Sequence, residues 1–317
     1  MFSPAGFPTE RRNEMNNDTE KTVVRKPLEE MDVIDNFLFN EIMANEEDGI
    51  EVCRMILSLV MKREIGEIRY TPQKIVPGVS ETNHGIIMDT YITEQNSEDG
   101  THKPDVNIYD IEPDKLKDKK KWLPRRSRYY ADLIDVKLLT AGTDYDKLPD
   151  LMTIFITSYD PFGMGAMYYE AGSIIKTHPG TEYNDGIRRV YLYVDGKLPD
   201  DPTPEDRKLQ NLLRYIGKSI SSNVKDDFTK KLDNIVRKTK ADKEVGVRLV
   251  KSWEIEKEIQ DAVRKEDQII IDAERKRADA AETKADAAEA RADKAEKDAK
   301  EAREELAKYI SKYGELK

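Results

Sequence analysis

The residues with the most chemical potential lie between His84 and Arg128. Two β-rich segments occur there, His84 to Ile92 and Val106 to Asp114, and each carries acids among apolar residues. The polar break between them, Asn96 to Pro104 with Gly100, has the composition of a hairpin connection. Residues two apart on a strand share a face, so Asp110, Glu112 and Asp114 are expected to project the same way, with Asp89 arriving from the neighbouring strand. Carboxylates gathered at one place repel unless a cation or solvent neutralises them. An oxygen-rich site of that kind suits Mg²⁺, which takes one or two carboxylates and completes its shell with water and phosphate oxygens. The bland alternative is coincidence, because 63 acids in 317 residues place some near each other in any fold.

The acids are followed at once by a basic run. Between Lys115 and Arg128 stand Lys115, Lys117, Lys119, Lys120, Lys121, Arg125, Arg126 and Arg128, opposed only by Asp118. A solubilising surface loop would look the same. Two facts favour function: the run adjoins the acids, and the chain as a whole carries a net charge of −10. A local positive rim in an acidic chain can hold a phosphate backbone, and the planar fork of arginine suits phosphate oxygens. Trp122, inside the run, is placed either to stack on a base or to pack at the rim.

These residues need a scaffold, and the chain supplies one. Residues 1–26 are polar and are expected to form a disordered arm. Apolar spacing of three and four predicts helices over Leu28–Asn45 and Ile50–Arg63, the second with Cys53 on its core face. Strands are expected over Ile65–Lys74, around Asp89, around Glu112, and over Met152–Thr157, Met167–Ile175 and Arg189–Val194. A helix is expected over Ser127–Thr140. Asp200–Pro204 reads as a linker, followed by helices over Leu209–Tyr215 and Asp226–Lys240. The domain divisions expected are therefore an arm (1–26), a globular domain (27–200), a helical extension (201–250) and a charged tail (251–317).

The tail repeats every seven residues: Ile271, Ala278, Ala285, Ala292, Ala299 and Leu306, with Ala281, Ala288, Ala295 and Ala302 between them. This is a heptad stripe built mostly of alanine, which favours helix strongly and buries little surface. A homo-oligomeric coiled coil and a solvated single helix explain it equally well. The lone Cys53 excludes an intramolecular disulfide and a cysteine-based zinc site. The chain has no apolar run long enough for a transmembrane helix and no signal-peptide core, so no membrane partner is expected and a cytoplasmic location is.

The same text resembles the Rpn family of recombination-promoting nucleases, also described as PD-(D/E)XK nuclease family transposases. The resemblance rests on His84-Gly85-Ile86-Ile87-Met88-Asp89-Thr90-Tyr91, Tyr109-Asp110-Ile111-Glu112-Pro113-Asp114, Leu123-Pro124-Arg125-Arg126-Ser127-Arg128-Tyr129-Tyr130 and Tyr159-Asp160-Pro161-Phe162. It runs from about Val33 to Val250. It implies an α/β (α+β) fold with a restriction-endonuclease-like core, carrying here a long C-terminal α-helical extension. By resemblance Asp89 matches the first catalytic Asp and Glu112 the second acid, together holding Mg²⁺ or Mn²⁺. Asp114 falls where the wider superfamily has Lys and this family commonly has Gln or another polar residue. It is expected as a third ligand or as the group orienting the water, with Lys115 or Lys117 supplying the cation if the strand bends after Pro113. Asp35 resembles an acid of the opening motif, and a helix-surface role is the competing reading. The expected partner is DNA, contacted by Lys119, Lys120, Lys121, Arg125, Arg126 and Arg128, and the expected activity is metal-dependent endonucleolytic hydrolysis. The alternative is a DNA-binding or coiled-coil scaffold protein with a degenerate nuclease centre.

Overall fold

The computed structural model describes residues 25–78, 85–95, 106–139, 141–181 and 183–314, without the side chains of Lys119 and Tyr313. Most of the arm expected over 1–26, His84 and the connection from Asn96 to Pro104 lie outside the described residues. Residues up to Leu249 form one compact unit and Val250–Lys317 a second.

In the first unit a short 3₁₀ turn, Leu28–Glu30, precedes helix α1, Asn36–Ala44, rather than one helix running from Leu28. Helix α2, Glu46–Met61, starts where Asn45 accepts the Asp48 amide at 3.0 Å. Glu46, Glu47 and Asp48 in its first turn complement the helix dipole. Its apolar face buries Val52, Cys53, Ile56, Leu57 and Val60. The Cys53 thiol is fully buried and its pKa is driven up by burial, as for a packing residue.

The strands are β1 (Ile68–Val76), β2 (Ile86–Gln95), β3 (Val106–Asp114), β4 (Asp150–Thr157), β5 (Tyr168–Ala171) and β6 (Ile187–Tyr193). They form one mixed sheet in the order β1-β2-β3-β4-β6-β5. β1, β2 and β3 are antiparallel, β4 runs parallel to β3 and to β6, and β5 is antiparallel to β6. A parallel neighbour demands a crossover, and helix α3, Leu123–Leu138, lies in the connection from β3 to β4. It starts four residues earlier than its apolar spacing implies, because Pro124 fits the first helical turn. Ala131, Leu133 and Ile134 of α3 share a core cluster with Met88, Ile108 and Leu151 of the sheet. Gly85 at the entry of β2 allows a close approach: a Cβ there would sit 2.9 Å from the Val76 carbonyl oxygen.

Helices α4 (Pro204–Gly217) and α5 (Asp227–Ala241) each begin with a reciprocal capping box, Thr203 with Asp206 and Asp226 with Thr229. Both contact α2, and α5 also contacts α1, so the segment after residue 200 completes the core. The start of α6 (Lys243–Tyr313) belongs to this unit too, with Val245 and Leu249 buried and Arg248 paired to Glu41 at 2.8 Å. Among the described residues no helix is long and apolar enough to cross a membrane.

One buried acid shows how the fold satisfies a carboxylate. Glu94 on β2 accepts from Arg63 at 2.7 and 2.6 Å, from the Gly66 amide at 2.9 Å and from the Tyr109 hydroxyl at 2.6 Å. Burial alone would raise its pKa, yet these donors and the Arg63 charge hold it down at about 2. Arg63→Met should destabilise the protein by about 2 kcal/mol, a value discounted because the Arg63 side chain is partly exposed. Urea unfolding at neutral pH checks this, and an unchanged midpoint would mean that Glu94 is satisfied without Arg63.

Candidate active site

The last register pair of β2 with β3 is Tyr91–Asp110. Beyond it side chains hold the strands together. The Thr90 hydroxyl donates to the Ile111 carbonyl at 2.6 Å, and the Asp89 amide donates to the Glu112 carboxylate at 2.7 Å. On the other side of β2, Gln73 takes a left-handed conformation (φ +46°) between the pairs Pro72–Thr90 and Lys74–Met88, opposite Asp89. A non-glycine residue there costs on the order of 1 kcal/mol, so the sheet is distorted where Asp89 emerges.

Asp89 and Glu112 line a pocket of about 400 Å³. β3 also contributes Asp114, the residues after it contribute Lys115 and Leu116, and α3 contributes Arg126 and Tyr130. Asn36 comes from α1. Asn40, one helical turn on, donates a side-chain hydrogen bond to Asp89. The period-two pattern brings Asp89 and Glu112 together. It gives no warning of Asn36 and Asn40, whose signal is two amides at helical spacing in an otherwise apolar Asn-Phe-Leu-Phe-Asn turn.

Asp114 shares the pocket but is already engaged. Its carboxylate receives Arg126 Nη2 at 2.7 Å and the Leu116 amide at 2.7 Å. Arg126 lies 5.0 Å from the Phe155 ring centre and 5.9 Å from that of Tyr130, and its Nε is buried without a partner. Arg126 is thus part of the pocket wall, whereas Arg125 and Arg128 are exposed. Lys115 pairs with Asp35, which also binds Lys26 at 2.8 Å. Asp35 therefore anchors Lys115 beside the pocket. Lys117–Trp122 forms a 3₁₀ turn on which Lys120, Lys121 and Trp122 are exposed, and the Lys119 side chain lies outside the described residues.

Deeper on the same strand, Asp110 is fully buried, and neither carboxylate oxygen has an N–H or hydroxyl donor. The Glu112 carboxyl can share a proton with it. Its register neighbour Thr153 likewise has a buried unpartnered hydroxyl. Burial raises all three acids, and the Asp89 charge adds to the rise of Asp110 and Glu112. Burial drives Asp89 up to about 6 against the Asn40 hydrogen bond and the Arg126 charge. Burial, then the Asp89 charge, drives Asp110 to about 8. Burial, then Asp110 and Asp89, holds Glu112 well above its usual range. Such crowding is expected of a cation-binding centre. Among the described residues no group of three or more His, Cys, Asp or Glu is arranged to hold a metal. Mg²⁺ takes as few as one or two carboxylates and fills its shell with water and substrate oxygens, and the carboxylates of this pocket not already paired with a cation are Asp89 and Glu112.

A carboxyl whose pKa is raised by folding contributes its full stability below the unfolded value, near 4, and that contribution is lost as pH rises through the folded value. Glu94 has the opposite sign, and its contribution is lost only as pH falls towards about 2. Without divalent ions the thermal midpoint should therefore fall between about pH 5 and about pH 9 as Asp89, Asp110, Glu112 and the similarly raised Asp135 ionise. Asp110→Asn should raise the midpoint at the alkaline end and change it little at the acidic end. Calorimetry in EDTA reads both, and an equal effect of the substitution at both ends would contradict the assignment.

Comparison of the chain with protein-family models, with curated proteins and with solved structures found no match.

Proposed function

We infer that this protein is a metal-dependent DNA endonuclease with a PD-(D/E)XK core of the recombination-promoting nuclease kind, acting in the cytoplasm. The observation that carries the reading is the junction of Asp89 and Glu112. The two acids are joined through the Asp89 amide at the wall of a pocket that also holds Lys115 and Arg126. Asp89 and Glu112 would hold Mg²⁺ or Mn²⁺, which supplies polarisation of a phosphate oxygen and a water of lowered pKa. Arg126, fixed by Asp114 and backed by aromatic rings, offers its remaining donors to a phosphate oxygen. Lys115 lines the same pocket and, after exchanging Asp35 for substrate, would balance charge on the leaving oxygen. Asn40 orients the Asp89 carboxylate.

The basic rim supports DNA as the substrate. Helix α3 opens with Arg125, Arg126 and Arg128, with no acid in its first turn and no side-chain cap. Positive charge at a helix N-terminus opposes the dipole by about 0.3–1 kcal/mol per charge. An external anion offsets that penalty, and a phosphate backbone is the anion of matching extent. The second reading is a DNA-binding scaffold with a degenerate centre. What favours it is Asp114, a carboxylate at the expected lysine position whose oxygens are already taken by Arg126 and Leu116.

Two measurements separate these readings. Purified protein should nick supercoiled plasmid with Mg²⁺ or Mn²⁺ and not in EDTA, and Asp89→Asn or Glu112→Gln should reduce nicking by at least about a hundredfold. DNA binding without cleavage in either metal would favour the scaffold, and full activity in either variant would sink the nuclease assignment. For binding, the variant carrying Lys119→Ala, Lys120→Ala and Lys121→Ala should weaken affinity for all sequences alike. It should also lower the slope of log affinity against log salt by about 0.9 for each phosphate no longer neutralised. An unchanged slope would leave this run a solvated turn.

A further inference from the structure

The second unit is helical through Tyr313, and every residue from 261 to 312 is exposed. Alanine content explains why it is helical. It does not explain where the charges stand. With the Ile271–Leu306 series at heptad position a and the alanines between at d, the stripe continues to Tyr309 at d. The residues bordering it at g and e are then fixed. In a parallel two-stranded coil, a g residue of one helix meets the e residue five places further on in its mate. Here Arg277 meets Glu282, Lys284 meets Glu289, and Arg291 meets Glu296. In the next heptad both signs invert together, and Asp298 meets Arg303.

That joint inversion is informative because residues five apart on one helix do not face each other; only spacings of three and four do. A solvated single helix gains nothing from opposite signs at a spacing of five. An antiparallel pair aligned on its centre would set Arg291 against Arg291, Glu289 against Glu289, Glu282 against Glu296 and Arg275 against Arg303, all repulsive. It would match opposite signs only at Arg277 with Glu305 and Lys284 with Asp298, whereas the parallel register matches all four of its charged pairs. We propose that the second unit is one half of a parallel, in-register, two-stranded coiled coil whose partner is a second copy of this chain. Glu274 holds the first d position, so the unbroken seam runs from Ala278 to Tyr309 and is about 48 Å long. Its core is mostly methyl groups and buries little, so the flanking charges decide orientation and register, and the pair is weak enough to dissociate in the micromolar range. The pairing is independent of any nuclease activity in the first unit.

The full chain provides the test, because Cys53 is its only cysteine and is buried. Ala281→Cys and Ala299→Cys, each made alone, should form disulfide-linked homodimers in a glutathione redox buffer. An antiparallel pair would link only when the two variants are mixed. Sedimentation should show a monomer–dimer equilibrium. The variant Glu282→Lys/Glu289→Lys/Glu296→Lys should weaken it about tenfold or more, and adding Arg277→Glu/Lys284→Glu/Arg291→Glu should restore it. Circular dichroism controls for loss of helix. A monomer throughout the micromolar range, linkage only in the mixture, or dimers insensitive to charge reversal would each overturn the proposal.

Discussion

The first unit is constrained most by the crowding of Asp89, Asp110 and Glu112 at the point where β2 and β3 stop pairing. Three carboxylates converge there, and the Arg126 guanidinium acts on all three. Glu94 lies on the same strand as Asp89 and shows what the sheet does with an acid that is only to be buried. It surrounds Glu94 with an arginine, an amide and a hydroxyl, and the carboxyl ionises easily. Asp110 receives no such donor. Asp110 avoids the several-kcal/mol cost of a buried unpaired carboxylate only by staying protonated up to about pH 8. On the proposed reading, that contrast within one sheet is the mark of a cluster that serves binding and not folding.

The surrounding irregularities follow from that cluster. The backbone ladder ends at Tyr91–Asp110, and side chains replace it. Gln73 adopts a left-handed conformation opposite Asp89. Pro113, which has no amide to donate, sits near the end of β3, two residues before Lys115. Strain of this kind clusters where surrounding structure over-determines a site. Here the determining structure is α1, which supplies Asn36 and Asn40, and α3, which supplies Arg126 and Tyr130.

Much of this was legible in the sequence. The alternation around Asp89 and Glu112 reveals the strands, and period two places Asp110, Glu112 and Asp114 on one face. The three-and-four spacing of Cys53, Ile56, Leu57 and Val60 reveals α2, and the alanine heptads reveal α6. What was hidden depends on tertiary placement. No local pattern says that β6 lies between β4 and β5, or that the polar face of α1 reaches β2. Arg126 reads as one of many surface cations until its distance to Asp114 is known. Asp114 reads as a free carboxylate for the same reason. The helices after residue 200 look like an extension because a Pro- and Asp-rich segment precedes them, yet their apolar faces complete the core formed by α1 and α2.

On the proposed reading, the charge distribution couples the ion to the nucleic acid. A chain of net charge −10 repels a phosphate backbone at long range, but that repulsion is screened beyond about 10 Å at moderate salt. Within that distance the exposed Lys120, Lys121, Arg125 and Arg128 dominate. They can hold the backbone beside the pocket, but they cannot bring a phosphate onto Asp89 and Glu112, because like charges a few ångströms apart repel strongly where water is excluded. A divalent ion removes that obstacle and is itself bound more tightly once phosphate oxygens complete its shell. Each ligand therefore raises the affinity of the other by the same factor. The rim alone supports association at the surface, and the acids admit a phosphate only together with the ion that neutralises them.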